Sequence, residues 1–411
     1  MGTPCYGHVN TTLGLVYQLS SLGETVIYYN DKKFKKVITQ TGVEFRDYKI
    51  NYENLEITKK IKNNTESNQR LKNLIGILDV SIEENEAMYQ NVALQIQQER
   101  PDYIIHDTFC YIGKRLGREL GIPVISCIPI YIYSRELSYE YPEIYIRNLL
   151  RLGREELPFG NNSIKNLQYL YHSLEYHVYM KYGFQNFDFY QTVNCISDYN
   201  IVFSSPFLFR SKEVFNENFL FAGCGLEYRK SLEPKLNIDN TMYIVISLGT
   251  TYVNQQKEFY RKCFEAFGKK EITVHLNIGE NICLSDFNDT PENFVFYKML
   301  PQLSLLENAQ LFITHGGANS TREALFYGVP MLIYALDGDQ FDVAARMLEM
   351  GVAEVFAPHS SSAELYQQTV NIMFHPKYRE RCQRIKKQLK NFGGNQFAAN
   401  AIIQYIDNCI G

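Results

Sequence analysis

The chain has 411 residues, of which 45% are hydrophobic, and a formal net charge of −4 at pH 7. This length suffices for two domains with their own cores, and the scattered charges argue against a nucleic-acid partner. No apolar run reaches the roughly 20 residues of a membrane span, and no basic region followed by an apolar core opens the sequence. We therefore expect no membrane association and no secretion.

The first half of the sequence alternates helical and extended patterns. Leu13, Val16 and Leu19 keep helical spacing up to Gly23, and the apolar run at 25–29 then predicts a strand. Further strands are predicted at 102–107, 123–128 and 200–204. Strands that alternate with helices predict a parallel sheet covered on both faces.

The second half repeats this organisation after a stretch rich in glycine and polar residues. That stretch has no clean periodicity and is interpreted as an interdomain linker, 222–241. Five further strands are predicted, at 242–247, 272–278, 293–299, 311–314 and 331–336. The fold class is therefore α/β, with two doubly wound domains over 1–221 and 242–390 and a final helix within 391–411. Ligands of such sheets bind at the carboxyl ends of the strands.

The most informative stretch is LFITHGGANSTREALFYGVP, at 311–330. A short apolar strand leads into a His-Gly-Gly turn, and a helix is expected to begin at Asn319 and Ser320. The glycines remove Cβ atoms that would keep an anion off the backbone, and the first N–H groups of a helix have no partner inside it. The turn therefore predicts a phosphate-binding site.

Acidic and amide side chains extend this site. Glu323 lies four residues after Asn319 and shares its helix face, where a carboxylate can accept hydrogen bonds from a ribose diol. The next predicted strand is followed by Asp339 and Gln340, which suit sugar hydroxyls. Glu323 alone would equally fit a solvated helix face, but the set together predicts a nucleotide diphosphate ligand.

The run 301–340 resembles the donor-binding signature of inverting nucleotide-sugar glycosyltransferases. The opening GHVNTTLGLVYQLSSLGETVIYY, the SLGT at 247–250 and the ending NFGGNQFAANAIIQYI are similar, in order and spacing, to the bacterial macrolide and UDP-glucosyl transferase family. The likeness covers nearly the whole chain. It implies the GT-B fold: two Rossmann-like domains with a cleft between them, an acceptor-binding first domain, and a C-terminal helix that returns to it.

The resemblance implies a role for each matching donor-side residue. Diphosphate contacts would be made by Thr250, His315, Gly316, Gly317, Asn319 and Ser320, base contacts by Met299 and Gln302, the ribose contact by Glu323, and sugar contacts by Asp339 and Gln340. Taken alone, Thr250 would be an ordinary loop hydroxyl. Met299 stands where the family often has a tryptophan that stacks on uracil. The preference of the site for a uracil or a thymine nucleotide therefore stays open.

A metal ion is not expected. Asp337, Gly338 and Asp339 spell the DxD triplet that binds metal in the other glycosyltransferase fold, but their place after the His-Gly-Gly helix favours sugar contacts. His315 and the helix terminus would then supply positive charge to the departing diphosphate.

A catalytic base is predicted at the start of the first helix. His8 follows Gly7 there, and a neutral imidazole can take a proton from an acceptor hydroxyl near neutral pH. Asp107, at the end of a strand, could bond the other ring nitrogen, and the resemblance implies this His-Asp pair. From spacing alone, His8 could be an ordinary residue at the start of a helix, and Asp107 could cap the end of a strand. His106 points the opposite way and is interpreted as structural.

The beginning of the chain departs from the family, which has a full central strand before the Gly-His turn. Only six residues precede Gly7 here. Loss of that strand would leave neighbouring strands with unpaired backbone groups and expose apolar surface. Either the sequence as given starts inside a longer product, or the short segment pairs only in part.

The predicted function is inverting transfer of a sugar, with glucose expected, from a UDP-sugar donor to a hydroxyl of a small hydrophobic or phenolic natural product. No cofactor is expected, and the predicted state is a monomer or a weak homodimer. Nine cysteines without a CxxC pair predict reduced thiols and a cytoplasmic location. The alternatives are a non-hydrolysing sugar-nucleotide epimerase and an inactive sugar-nucleotide-binding remnant.

Overall fold

The computed structural model describes residues 1–50, 70–185, 187–211, 215–236, 242–249, 253–287 and 289–410. The chain divides into two compact units. The first comprises Met1–Tyr228 and Gly393–Gly411, and the second comprises Arg229–Phe392. Each unit contains parallel β-sheet and helices that pack against it.

Among the residues that the structure describes, the first unit has six strands and most of the longer helices. Its strands are β1 (Ile27–Asn30), β2 (Glu44–Asp47), β3 (Ile104–Asp107), β4 (Val124–Ile128), β5 (Tyr199–Val202) and β6 (Phe219–Phe221). Its helices are α1 (Tyr6–Ser21), α2 (Lys35–Thr39), α3 (Arg70–Glu99), α4 (Ile112–Leu120), α5 (Arg135–Glu140), α6 (Pro142–Ile144), α7 (Ser163–Tyr182) and α8 (Tyr190–Val193). α9 (Glu227–Leu232) follows and runs into the second unit.

Two parallel sheets of the first unit are joined by the beginning of the chain. Strands β3 to β6 form one sheet in sequence order, and β1 pairs with β2 in the other. The Gly2 N–H donates to the Tyr29 carbonyl oxygen at 3.0 Å, and the Asp107 N–H donates to the Met1 carbonyl oxygen at 2.9 Å. Partial pairing of the short first segment is therefore what the structure shows.

A cavity of about 460 Å³ continues from Met1 between β1 and β3. The apolar side chains that line this cavity include Leu15 and Leu19 of α1 and Ile96 of α3. The Met1 ammonium donates to the Ile105 carbonyl oxygen at 2.6 Å, and burial lowers the pKa of this amino group. Strand edges and apolar side chains of the first unit therefore face a cavity.

The C-terminal helix belongs to the first unit. α16 (Gly394–Ile410) packs against α1, and the Asn395 Nδ2 donates to the Gly225 carbonyl oxygen at 2.8 Å. Ala398, Ala399 and Ile402 of α16 are buried in one core with Leu15, Leu19, Ile125 and Ile201. This burial of a small-residue face brings the end of the chain close to its first helix.

In its described part, the second unit contains six more strands. They are β7 (Tyr243–Ser247), β8 (Thr273–Asn277), β9 (Phe294–Tyr297), β10 (Leu311–Thr314), β11 (Met331–Ile333) and β12 (Ala353–Val355). The helices are α10 (Val253–Phe267), α11 (Gln302–Leu306), α12 (Ala318–Tyr327), α13 (Gln340–Glu349), α14 (Ser362–Phe374) and α15 (Pro376–Leu389).

The strand order of the second sheet contains a switch point. The order is β12-β11-β10-β7-β8-β9, and every neighbouring pair is parallel. The chain moves outward from β7 to β9, then returns to β10 on the other side of β7, so the winding reverses between β7 and β10. In open α/β sheets the ligand crevice lies at such a switch point, outside the carboxyl ends of the strands.

All nine strands predicted from the sequence are found, with their ends shifted by a few residues. The sequence reasoning missed β2, β6 and β12, which are four, three and three residues long. Each lies at the edge of its sheet. Short edge strands lack the continuous apolar run that marks a buried parallel strand. The stretch 222–241, expected to be irregular, contains α9.

None of the described helices combines the length and the hydrophobicity of a membrane span.

Filling the cavity ahead of Met1 should stabilise the first unit. We expect an extension of about four β-branched apolar residues to pair with β1 and β3 and to raise the free energy of unfolding by about 1–3 kcal/mol. Urea unfolding followed by circular dichroism measures this. A Gly-Ser extension of the same length is the control, and equal midpoints for the two extended chains would contradict the expectation.

Candidate functional site

The structure brings His8 and Asp107 together. His8 lies in the first turn of α1, Asp107 ends β3, and the His8 Nδ1 is 2.7 Å from the Asp107 Oδ2. Both side chains are buried, and the His8 ring lies 4.7 Å, centroid to centroid, from the Phe109 ring. A carboxylate on Nδ1 favours the tautomer with its proton there, which leaves a basic lone pair on Nε2.

Asp107 is held as an anion by its surroundings. Burial alone would raise its pKa, but the electrostatic attraction of the neighbouring imidazole and three hydrogen bonds, from His8, Thr3 and the Phe109 N–H, lower it below the usual value. Thr3 Oγ1 donates to Oδ1 at 2.6 Å, and the Phe109 N–H donates to the same oxygen at 2.9 Å. Oδ2 is thereby directed to the imidazole. Sequence reasoning missed Thr3, because a lone threonine near a chain start carries no signal.

His106 differs from His8 in that both of its ring nitrogens have protein partners. Its ring is buried and hydrogen-bonded through both nitrogens, Nδ1 at 2.9 Å from the Asp107 carbonyl oxygen and Nε2 at 2.8 Å from the Ser197 Oγ. Burial lowers its pKa to about 4. A neutral ring with both nitrogens occupied fits the structural role expected for it.

The His-Gly-Gly turn joins β10 to α12 at the switch point of the second sheet. β10 pairs with β7 so that Thr314 lies opposite Ser247, and the chain continues from these residues into the turn and into Gly249. Gly316 has a φ of +85°, and a Cβ there would lie 2.8 Å from Ile333 Cγ2. Only glycine fits this position. Helix α12 begins at Ala318, directly behind Gly317, which makes its first N–H groups the natural anion site.

Burial of His315 works against a positive charge on its ring. Desolvation lowers its pKa to about 4, although a hydrogen bond to the Ser247 backbone acts in the opposite direction. Its Nδ1 is buried and has no hydrogen-bond partner among the described residues. This lowered pKa runs against the expectation that His315 adds positive charge, which stays a prediction for the protein with its donor bound. The sequence shows the residue type but not the burial that lowers the pKa.

Glu323 and Gln302 lie in direct contact. The Gln302 Nε2 donates to the Glu323 Oε2, and the Arg229 Nη1 donates to the Glu323 Oε1 at 2.6 Å. Glu323 is buried, with 4% of its side chain exposed, which excludes the solvated helix face as its explanation. Arg229 was missed, since it lies in the stretch interpreted as a linker.

Asp339 and Gln340 follow β11 and open α13. The Gln340 Oε1 accepts hydrogen bonds from the Leu336 N–H at 2.8 Å and the Asp337 N–H at 3.3 Å. Gln340 therefore shapes the loop that carries Asp339, and its amide nitrogen is the group suited to a further contact with a ligand.

The remaining predicted donor-side residues are placed as follows. Asn319 and Ser320 lie in the first turn of α12, and the Asn319 side-chain oxygen accepts a hydrogen bond from Arg322. Met299, between β9 and α11, has 71% of its surface exposed. Thr250 lies outside the described residues. The His8 pair belongs to the first unit, and the predicted donor-side residues belong to the second.

Comparison with known proteins gives concordant matches. The family described as UDP-glucoronosyl and UDP-glucosyl transferase matches residues 228–390. YojK of Bacillus subtilis (strain 168), an uncharacterized UDP-glucosyltransferase, is 30% identical over 409 residues, 99% of this chain and 96% of YojK. The oleandomycin glycosyltransferase of Streptomyces antibioticus is 23% identical, over 97% of this chain and 88% of that protein. The calicheamicin glycosyltransferase CalG4 superposes with a TM-score of 0.78 at 22% identity, covering 100% of this chain and 98% of CalG4.

The turn geometry predicts the effect of a single methyl group. Gly316→Ala combines a left-handed backbone with a Cβ 2.8 Å from Ile333, so we expect unfolding to become easier by about 2–4 kcal/mol. Gly338→Ala is the matched control, because Gly338 also has a positive φ but a Cβ there meets nothing within 4 Å. Urea unfolding of both variants measures the difference, and equal losses would contradict the close approach at Gly316.

Proposed function

Because this chain belongs to the UDP-glucoronosyl and UDP-glucosyl transferase family, we propose that it transfers glucose from UDP-glucose to a hydroxyl of a small hydrophobic or phenolic natural product. It is a glycosyltransferase with two Rossmann-like domains of the GT-B fold. The name of the oleandomycin glycosyltransferase supports a natural-product acceptor. Free thiols at all nine cysteines are in keeping with the cytoplasmic location that we also propose.

The single observation that carries the mechanism is the 2.7 Å contact between His8 and Asp107. The Nε2 lone pair of His8 takes the proton of the acceptor hydroxyl as its oxygen attacks the anomeric carbon. The bond from that carbon to the diphosphate oxygen breaks on the opposite face, which inverts the configuration and releases UDP. Asp107 stabilises the imidazolium that forms, and the proton then passes to solvent.

On the donor side, the main-chain N–H groups at the start of α12 would hold the pyrophosphate. They are oriented before the donor binds, so they stabilise the charge that grows on the leaving diphosphate without having to rearrange. His315 would add a hydrogen bond from a neutral ring. Asp339 and Gln340 would bind sugar hydroxyls, and we propose no metal ion.

Removal of the base tests the proposal. We expect His8→Ala to keep its affinity for UDP, since the nucleotide residues lie in the other unit, and to lose transfer by about 100-fold or more. Transfer is measured by mass spectrometry with UDP-glucose and a panel of phenolic and macrolide acceptors. His172→Ala, at an exposed histidine on α7, is the control. Unchanged transfer by His8→Ala would reject the base, and UDP binding by the unsubstituted chain without turnover on any acceptor would favour an inactive remnant.

Asp107→Asn probes the tautomer of His8. The amide oxygen would keep the bonds from Thr3 and the Phe109 N–H, which turns the amide N–H₂ toward His8 Nδ1. Nδ1 must then accept, the ring proton moves to Nε2, and the base is lost. We expect transfer to fall roughly 100-fold or more with little change in UDP affinity. Full activity of the Asp107→Asn variant would show that the carboxylate does not set the tautomer.

Neutral His315 predicts how donor affinity responds to pH. UDP-glucose carries no phosphate proton that titrates near neutrality, and the pKa of His315 is about 4, so its calorimetric affinity should be flat from about pH 5.5 to pH 7.5. A cationic His315 would instead make binding weaker as the pH rises through about 6.5 and the ring loses its proton. Such a decline would contradict the neutral ring.

A further inference from the structure

The Glu323 carboxylate has a different protein donor on each oxygen. Arg229 Nη1 donates to Oε1 at 2.6 Å, and Gln302 Nε2 donates to Oε2. The Arg229 side chain is 18% exposed and that of Glu323 is 4% exposed. Because a buried carboxylate without a counter-charge is costly, the Arg229 guanidinium is what permits an ionised Glu323 at this depth.

Arg229 is itself held in place by the segment around it. Lys230, next in α9, donates from Nζ to the Ser304 Oγ at 3.0 Å. The Glu233 carboxylate accepts from the N–H groups of Leu303 and Ser304, at 3.2 and 2.8 Å, and so caps the first turn of α11. Gln302 begins that helix. The 229–233 segment therefore anchors both protein donors of Glu323.

The remaining acceptor capacity of Glu323 matches a vicinal diol. An ionised carboxylate offers about four lone-pair sites, and Arg229 and Gln302 use one on each oxygen. One site on each oxygen is left. Two adjacent hydroxyl groups can donate to them simultaneously, provided that the carboxylate plane does not rotate. Two donors on opposite oxygens prevent that rotation.

We propose that Arg229 is a positioning residue that orients Glu323 to bind both ribose hydroxyls of the donor, and so makes the site select ribonucleotides over 2′-deoxyribonucleotides. The inference rests on the proposed function, since it needs a nucleotide donor. A carboxylate fixed by two donors loses one of its two hydroxyl partners when the 2′-hydroxyl is absent, and an unmet acceptor at a buried site lowers affinity.

The test compares the affinities of UDP and 2′-deoxy-UDP by calorimetry. The unsubstituted chain should prefer UDP by about tenfold or more. Arg229→Met removes the charge and the donor while keeping a side chain of similar length, and should bring the ratio of affinities close to one, mainly by weakening UDP. Arg229→Lys should give an intermediate ratio, because lysine restores the charge without the fixed fork of the guanidinium.

Lys257→Met is the control. It removes a 2.8 Å ion pair with Asp286 elsewhere in the second unit. Its ratio of affinities should equal that of the unsubstituted chain. If Arg229→Met weakens UDP and 2′-deoxy-UDP equally, Arg229 acts only on stability and the proposal is overturned.

The outcomes separate this inference from the function on which it rests. Equal binding of the two nucleotides by the unsubstituted chain overturns the ribose selection and leaves the transferase proposal standing. Binding of neither nucleotide overturns both. Should Arg229→Met fail to fold, Arg229→Lys decides, since an unchanged ratio in that variant would mean that the guanidinium geometry is not what orients Glu323.

Discussion

The parallel hydrogen bonding of β7 with β10 is the constraint on which the donor-side site depends. It places Ser247 opposite Thr314, so the two chain segments that leave the sheet at its switch point begin side by side. The chain can then place a glycine turn and a helix N-terminus in the crevice that opens there. The geometry of the proposed phosphate site thus follows from the strand order, and the glycines only make its N–H groups accessible.

The first unit uses backbone pairing in a similar way, with far fewer residues. Met1 and Gly2 bond to β3 on one side and to β1 on the other, and the chain then turns into α1, which carries His8. Thr3, next in the chain, donates to the Asp107 carboxylate. The segment that joins the two sheets therefore also holds Asp107 beside His8, so a change at the sheet junction would alter the contact between them.

The sequence was most informative about the buried apolar strands. It was least informative about which charged residues of the site are buried and paired. The buried strands of the second sheet, such as β7 and β10, are visible as apolar runs, and the His8 and Asp107 pair was proposed from the family resemblance together with the place of Asp107 after such a run. Edge strands such as β12 lack that signal. Arg229 could not be found, because a charged residue in a polar stretch looks the same whether it is solvated or paired with a buried carboxylate. For the same reason the sequence could not show that burial lowers the pKa of His315.

A crystal structure of the chain with UDP would test the central claim, that the switch point of the second sheet is the nucleotide site, most directly. We predict pyrophosphate oxygens within hydrogen-bond distance of the main-chain N–H groups at the start of α12, with the ribose against Glu323. A nucleotide bound elsewhere on the chain, or one whose phosphates do not contact those N–H groups, would contradict it.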